Sequence, residues 1–284
     1  MSQLKSLLVV LLAYVLAIVI GIYIVSFSNL QLFSKILLAD IVATVLIYIF
    51  SYIYNNSSLY DPYWSVIPPF ILIYYINEFG YMNLQSSLLI FSVFFWGIRL
   101  TFNWLRGWPG MHHEDWRYVD MRKYSGNYFE FSNFFGIHLF PTLIVFACCL
   151  PMYTALIKKI DIFTYIGFSL CFIGVLYEII SDQQLYNFKK NNKGIIEDGL
   201  WGHSRHPNYY GEILFWWGIY FYGIVPGNYF QWIFAPITMT IMFLYVSIPW
   251  IEDKILRTRP EYKKYQSKVS ILLPEISYIK SLFK

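Results

Sequence analysis

Eight apolar runs recur along the chain, near 7–25, 33–54, 64–79, 86–105, 133–157, 161–180, 209–226 and 229–250. A hydrocarbon core of about 30 Å takes roughly 20 apolar helical residues to cross, so each run is a candidate span. Two of them, 64–79 and 209–226, are short and flanked by Gly or Pro. Only 13% of residues are charged, against about 25% in a soluble domain. The expectation is an all-α, polytopic integral membrane helix bundle with seven or eight transmembrane helices. No internal repeat, low-complexity tract or Pro/Gly/Ser-rich linker interrupts 1–284, which reads as a single membrane domain. No small-residue cleavage site follows the first run, so it reads as a span rather than a signal peptide.

Charge sorting suggests an orientation. With eight spans and the N-terminus inside, the inner segments hold Lys5, Arg106, Arg117, Arg122, Lys123, Lys189, Lys190, Lys193 and Arg205, plus the cations after residue 250. Lys35, Lys158 and Lys159 are left outside, and Arg99 falls within a run. This skew follows the positive-inside rule and puts both termini in the cytosol. The formal net charge of +4 is then a matter of topology and calls for no nucleic-acid partner. Cys148, Cys149 and Cys171 all lie in apolar runs without a CxxC spacing, and read as small core residues.

Three polar segments fall on the same expected face: 106–132, 181–208 and the tail after residue 250. Converging there, they would wall a pocket with the spans as its apolar floor. The stretch "SRHPNYYGE", residues 204–212, carries the densest signal. Pro207 suits the first turn of a helix, which places Asn208 and Glu212 one turn apart on one face. Arg205 and His206 precede the helix, where its dipole favours an anion. The set suits a phosphate-bearing ligand, with Asn208 and Glu212 reading hydroxyls or an amide. A blander reading has Arg205 and His206 snorkelling to headgroups. It leaves Glu212, about a turn into a span, in need of a partner.

Glu178 and Asp182 are four apart at the end of the preceding run, and Asp182 is placed to accept from a ribose or amide. Solvation of a helix end accounts for Asp182 equally well and for Glu178 better. Arg99, inside a span, requires an anionic partner or a cavity. Asp61, in "DPYWSVIPPF", stands beside Tyr63 and Trp64 at a span entrance. Desolvation there raises a carboxyl pKa, and a neutral carboxylic acid can donate to a substrate carbonyl. The alternative is a surface Asp-Pro turn. GxGxxG and GxxxxGK[ST] are missing, and so is HExxH. The pair His112 and His113 lacks a spacing that suits zinc; a non-haem metal site from His112, His113 and His206 is an alternative on paper, and no metal is expected.

"GLWGHSRHPNYYGE", with "SDQQLYNFKK" before it and "RPEYKKYQSKVS" after, resembles the steroid 5-alpha-reductase-like membrane family, in its bacterial-type branch with an SRHPNYxGE signature. "DPYWSVIPP", "WGIRLTFNW" and "EDWRY" look like that branch too, so the likeness covers about 61–275, with 1–60 as N-terminal spans. The resemblance implies NADPH bound from the cytosolic side and hydride transfer to the β-carbon of an α,β-unsaturated carbonyl in a lipid. It assigns Asp182, Asn208 and Glu212 to the cofactor, with Lys189 near the phosphates. Arg205, His206 and Tyr209 join them through the branch signature. Asp61 aligns with the reductases' catalytic glutamate, acting directly or through Tyr63. Where the reductases have a substrate-gripping tyrosine this sequence has Trp96, and its acid is one methylene shorter. The runner-up is an S-adenosylmethionine-dependent methyltransferase of the same superfamily, whose cofactor lacks phosphates and has little use for Lys189, Lys190 and Lys193. A third reading is a binding protein that kept the fold and lost the chemistry. The partners expected are a lipid substrate and membrane lipids, with the oligomeric state open.

Overall fold

The computed structural model describes residues 2–79 and 82–273. Lys280 and Lys284, counted among the C-terminal cations, and the last two residues of the 61–275 likeness lie outside the described residues. Among those described the protein is all-helical, with one isolated bridge between Val225 and Asn228 and no strand. The elements are α1 (Gln3–Ser26), α2 (Leu32–Ile53), α3 (Tyr63–Phe79), α4 (Leu84–Gly107), α5 (Trp116–Ser125), α6 (Phe129–Ser132), α7 (Phe140–Ile157), α8 (Ile162–Asn191), α9 (Pro207–Tyr222), α10 (Phe234–Met242), α11 (Ile248–Thr258) and α12 (Tyr262–Gln266). π-helical turns, Asn133–Leu139 and Phe243–Ser247, join α6 to α7 and α10 to α11.

Among the described residues, six helical stretches are long and apolar enough to cross a membrane. The two short runs form α3 and α9, of 17 and 16 residues, each about 25 Å long at 1.5 Å per residue. Helix α1 shows why such elements need lipid. Its buried face is Ser6, Val10, Ala13, Tyr14, Ala17, Gly21 and Val25, while Leu4, Leu8, Leu11, Leu12, Val15 and Val19 are exposed. An apolar helix exposing Leu and Val around most of its girth is stable only where the solvent is hydrocarbon.

Two segments expected as loops are partly helical. Helix α8 continues through the polar stretch 181–191, because Gln183, Gln184 and Leu185 are good helix formers. Gln183 also bonds Asn187 at 2.8 Å, one turn on. Asp182 and Lys189 are therefore helical residues. In 106–132, Asp115 accepts the Arg117 backbone N–H at 2.9 Å and starts α5.

The chain divides into two compact units, Met1–Leu156 and Ile157–Lys284. In the N-terminal unit, α1 meets α2 across small residues: a Cβ on Gly21 would stand 2.9 Å from the Ala39 carbonyl oxygen. Polar side chains inside this unit bond one another. Thr142 Oγ1 contacts Thr44 Oγ1 at 3.0 Å and Tyr60 Oη at 2.9 Å, and Ser57 Oγ donates to Asn133 Oδ1 at 2.9 Å. His138 has Ser51 Oγ 3.1 Å from one ring nitrogen and the Asn133 carbonyl 3.0 Å from the other. Unpaired, such groups would be costly to bury.

In the C-terminal unit, α8 and α9 pack backbone against backbone. A Cβ on Gly174 would lie 2.5 Å from the Gly211 carbonyl oxygen, and one on Gly218 would lie 2.5 Å from Cys171 Sγ. Small residues at Gly167, Cys171 and Gly174 face Gly211 and Gly218, the pattern by which membrane helices approach closely. Gly174→Ala is expected to lower thermal stability in detergent by about 1–3 kcal/mol, the range for overpacking. Gly107→Ala, whose Cβ would meet nothing within 4 Å, should change the melting temperature little.

Candidate functional site

Each unit gathers one group of the polar residues singled out above. In the N-terminal unit, the turn before α3 is laced to the segment that leads into α5. Asn56 Nδ2 donates to the carbonyls of Met111 and His113, both at 3.0 Å. The Ser57 N–H donates to Glu114 Oε1 at 2.9 Å, and the Asp115 N–H to Ser58 Oγ at 2.8 Å. These bonds fix Asp61 against the first turn of α5. Its Oδ1 accepts from the Tyr118 hydroxyl and stands 3.4 Å from Arg117 Nη2. Arg117 is shared, since its Nε donates to Asp115 Oδ1 at 2.8 Å. Arg122 in turn pairs with Glu114 at 3.3 Å.

The Asp61 side chain is 15% exposed. Burial raises its pKa to about 7, with Asp115 and Glu114 adding repulsion while Arg117 and the Tyr118 hydrogen bond pull it down. Asp61 is thus a carboxyl poised to be neutral just below pH 7. Tyr63 serves another carboxylate: its hydroxyl donates to Asp40 Oδ1 at 2.8 Å. The tyrosine on Asp61 is Tyr118, the last residue of "EDWRY". Trp96 is fully buried in α4.

The C-terminal unit holds the other group. Pro207 opens α9 as expected. Gly211 admits Glu178 of α8, whose Cγ would lie 2.8 Å from a Cβ at that glycine. Glu178 and Glu212 are both buried, and Glu212 Oε1 accepts the Trp216 indole N–H at 2.8 Å. Asp182, one turn beyond Glu178, is half-buried. Asn208 is half-buried, and its carboxamide has no hydrogen-bond partner among the described residues. Lys189, Lys190 and Lys193 are exposed around the end of α8, with Lys190 over the Tyr186 ring at 4.4 Å.

Arg205 and His206 turn to α11 and α12. Glu252 Oε1 lies 2.9 Å from Arg205 Nε and 2.8 Å from His206 Nε2. The same carboxylate accepts from Tyr262 Oη at 3.2 Å and Gln266 Nε2 at 2.8 Å. Arg205 also donates to the Gln266 carbonyl at 2.9 Å. Tyr209 stacks on His206 with rings 5.5 Å apart and 10° from parallel. Burial keeps the His206 pKa below its ordinary value against the opposing pull of Glu252, so the imidazole is neutral at pH 7. Arg205 and His206 therefore clasp the tail to the head of α9. Glu252, the hub of that clasp, was visible in sequence only as part of a charged tail. No group of three or more His, Cys, Asp or Glu that would hold a metal occurs among the described residues.

The arrangement can be compared with known proteins. Residues 47–269 match a family described as "Protein of unknown function (DUF1295)". The chain belongs to the DUF1295 family. The match takes in both the Asp61 cage and the α8–α9 crossing. Among curated proteins, an uncharacterised protein of Schizosaccharomyces pombe, C594.04c, is 27% identical over 255 residues, covering 78% of this chain and 74% of that one. No solved structure matches this DUF1295 chain.

Three outcomes are expected. Infrared difference spectra should show a protonated carboxyl band that titrates near pH 7 and is missing in Asp61→Asn. Arg117→Gln should move that midpoint upward, because removing a cation disfavours the anion. Glu252→Ala strands a guanidinium that is only 13% exposed, and thermal unfolding should show a loss on the order of 3 kcal/mol.

Proposed function

We propose that this protein is an integral-membrane reductase that uses NADPH to saturate the double bond of an α,β-unsaturated carbonyl in a lipid. The observation that carries the reading is the Asp61 cage: a carboxyl held by Tyr118 and Arg117 whose pKa of about 7 matches the working range of a general acid. The kinship of DUF1295 with the steroid 5-alpha-reductase-like superfamily and the signature stretch 204–212 support the same class.

The residues present suit an anionic, hydroxyl-bearing dinucleotide at the cytosolic end of α8 and α9. The uncommitted Asn208 carboxamide has two donors and an acceptor to spend. The first turn of α9 adds N–H groups and a positive dipole end. Lys189, Lys190 and Lys193 supply the cations, because Arg205 is already neutralised by Glu252. NADPH, when bound, supplies a hydride for the β-carbon of the substrate. With Asp61 Oδ1 taken by Tyr118 and Arg117, Oδ2 holds the proton and donates it towards the carbonyl oxygen, where negative charge develops. Tyr118 and Arg117 position the carboxyl. The apolar spans give a lipid substrate its access.

A thermal-shift series on the detergent-solubilised chain tests the cofactor half. NADPH should raise the melting temperature, and Asn208→Leu or the pair Lys189→Gln with Lys190→Gln should weaken NADPH binding by about tenfold while leaving the ligand-free melting temperature in place. Stabilisation by S-adenosylmethionine but not by NADPH would replace this reading with the methyltransferase one. Turnover of an enone lipid should fall as pH rises through about 7, since the neutral acid is lost, and Asp61→Asn should abolish it while sparing NADPH binding.

A further inference from the structure

A cavity of about 160 Å³ lies wholly within the N-terminal unit, among α1, α2 and α3. Its walls are mostly apolar (Ile18, Ile36, Ala43, Ile67 and Ile71 among them); Asp40 is set into them, and Lys35, Tyr74 and Asn77 also line the cavity. Three further lining residues, Ile22, Phe70 and Ile73, are exposed on the outside of the unit at 51%, 44% and 40%. The cavity therefore reaches the lipid-facing surface.

Asp40 is the feature that requires explanation. It belongs to α2, an apolar span, and is only 5% exposed. Its Oδ1 takes the Tyr63 hydroxyl at 2.8 Å. Its Oδ2 has no hydrogen-bond partner among the described residues. An ionisable group within a membrane span is costly and pairs with something, or marks a ligand path. Here one oxygen is paired within the protein, and the other belongs to a side chain that lines a cavity open to lipid.

We infer that this cavity binds a lipid carrying a hydroxyl group on an apolar body, with the hydroxyl on Asp40 Oδ2. A hydroxyl donates to an ionised carboxylate and accepts from a protonated one, so it suits Asp40 in either state. A ketone suits only the acid and an ammonium only the anion. The volume is close to that of a cavity that takes one benzene, so the enclosed part holds a ring or roughly six to eight carbons, with any remainder extending past Phe70 and Ile73 into the bilayer. The site is distinct from Asp61 and stands whether or not the chain reduces enones.

Photoactivatable, diazirine-bearing octanol is the probe, used on the full chain in phosphatidylcholine nanodiscs with adducts mapped by mass spectrometry. Adducts should fall on the cavity lining of α1, α2 and α3, and 1-octanol should compete about tenfold better than n-octane at equal membrane concentration, the worth of one hydrogen bond to a charged group. Ala39→Phe, which adds bulk to the α2 wall of the cavity, should abolish the labelling. Asp40→Val should reduce competition by octanol to the level of octane. Equal competition by the two in the unaltered protein would show that the cavity takes up hydrocarbon tails alone and would overturn the assignment, even if Asp40→Val failed to fold. Adducts scattered outside the lining would do the same.

Discussion

Gly211 and Gly174 bring the backbones of α8 and α9 together, and the polar chemistry of the C-terminal unit depends on that approach. With no side chain on either residue, α8 and α9 come together backbone to backbone. Glu178 can then lie against Gly211, with Asp182 one turn further along α8 and Asn208 and Glu212 on either side of that glycine in α9. Membrane helices gain little from excluding lipid, so close van der Waals packing must supply the association. A methyl group at either glycine would push apart the two helices that carry most of the candidate cofactor residues.

The N-terminal unit meets a different demand. Its interior holds an unusual number of hydroxyls, together with His138, Asn133 and Asp40, all in segments that cross or border the membrane. Each of these side chains has at least one partner: Thr142 serves Thr44 and Tyr60, Ser57 serves Asn133, Ser51 serves His138 and Tyr63 serves Asp40. Such a network commits helices to one register, because a shifted helix would bury several of these groups unpaired. Rigid placement of the Asp61 turn follows from it, since Ser57 and Ser58 sit in that turn and bond both the network and the approach to α5.

The sequence revealed the helical membrane class directly, because hydropathy over 20-residue windows reports the solvent a helix requires. The position of α9 was legible as well, because Pro207 suits the first turn of a helix at the head of an apolar run. What stayed hidden were pairings between distant segments. Nothing local marks Tyr118 as the partner of Asp61, or Glu252 as the partner of Arg205 and His206, since 57 and 46 residues separate Tyr118 from Asp61 and Glu252 from His206. Asp40 is a different case. A lone carboxylate in "ILLADIVATVL" carries the same signal as Arg99 in its span, and the rule that flagged Arg99 would have found it.

The wide turn at Asn133–Leu139 has a consequence for how this chain tolerates change. A π-helical turn accommodates one extra residue without breaking the helix that contains it. Removing one residue there would restore ordinary winding and leave the helix beyond close to its present register, whereas the same deletion in a plain α-helix turns everything downstream by about 100°. Thr142, just past the turn, would then stay near Thr44 and Tyr60, to which it is now bonded. A single-residue deletion in this stretch would disturb the turn itself more than the helix that follows it.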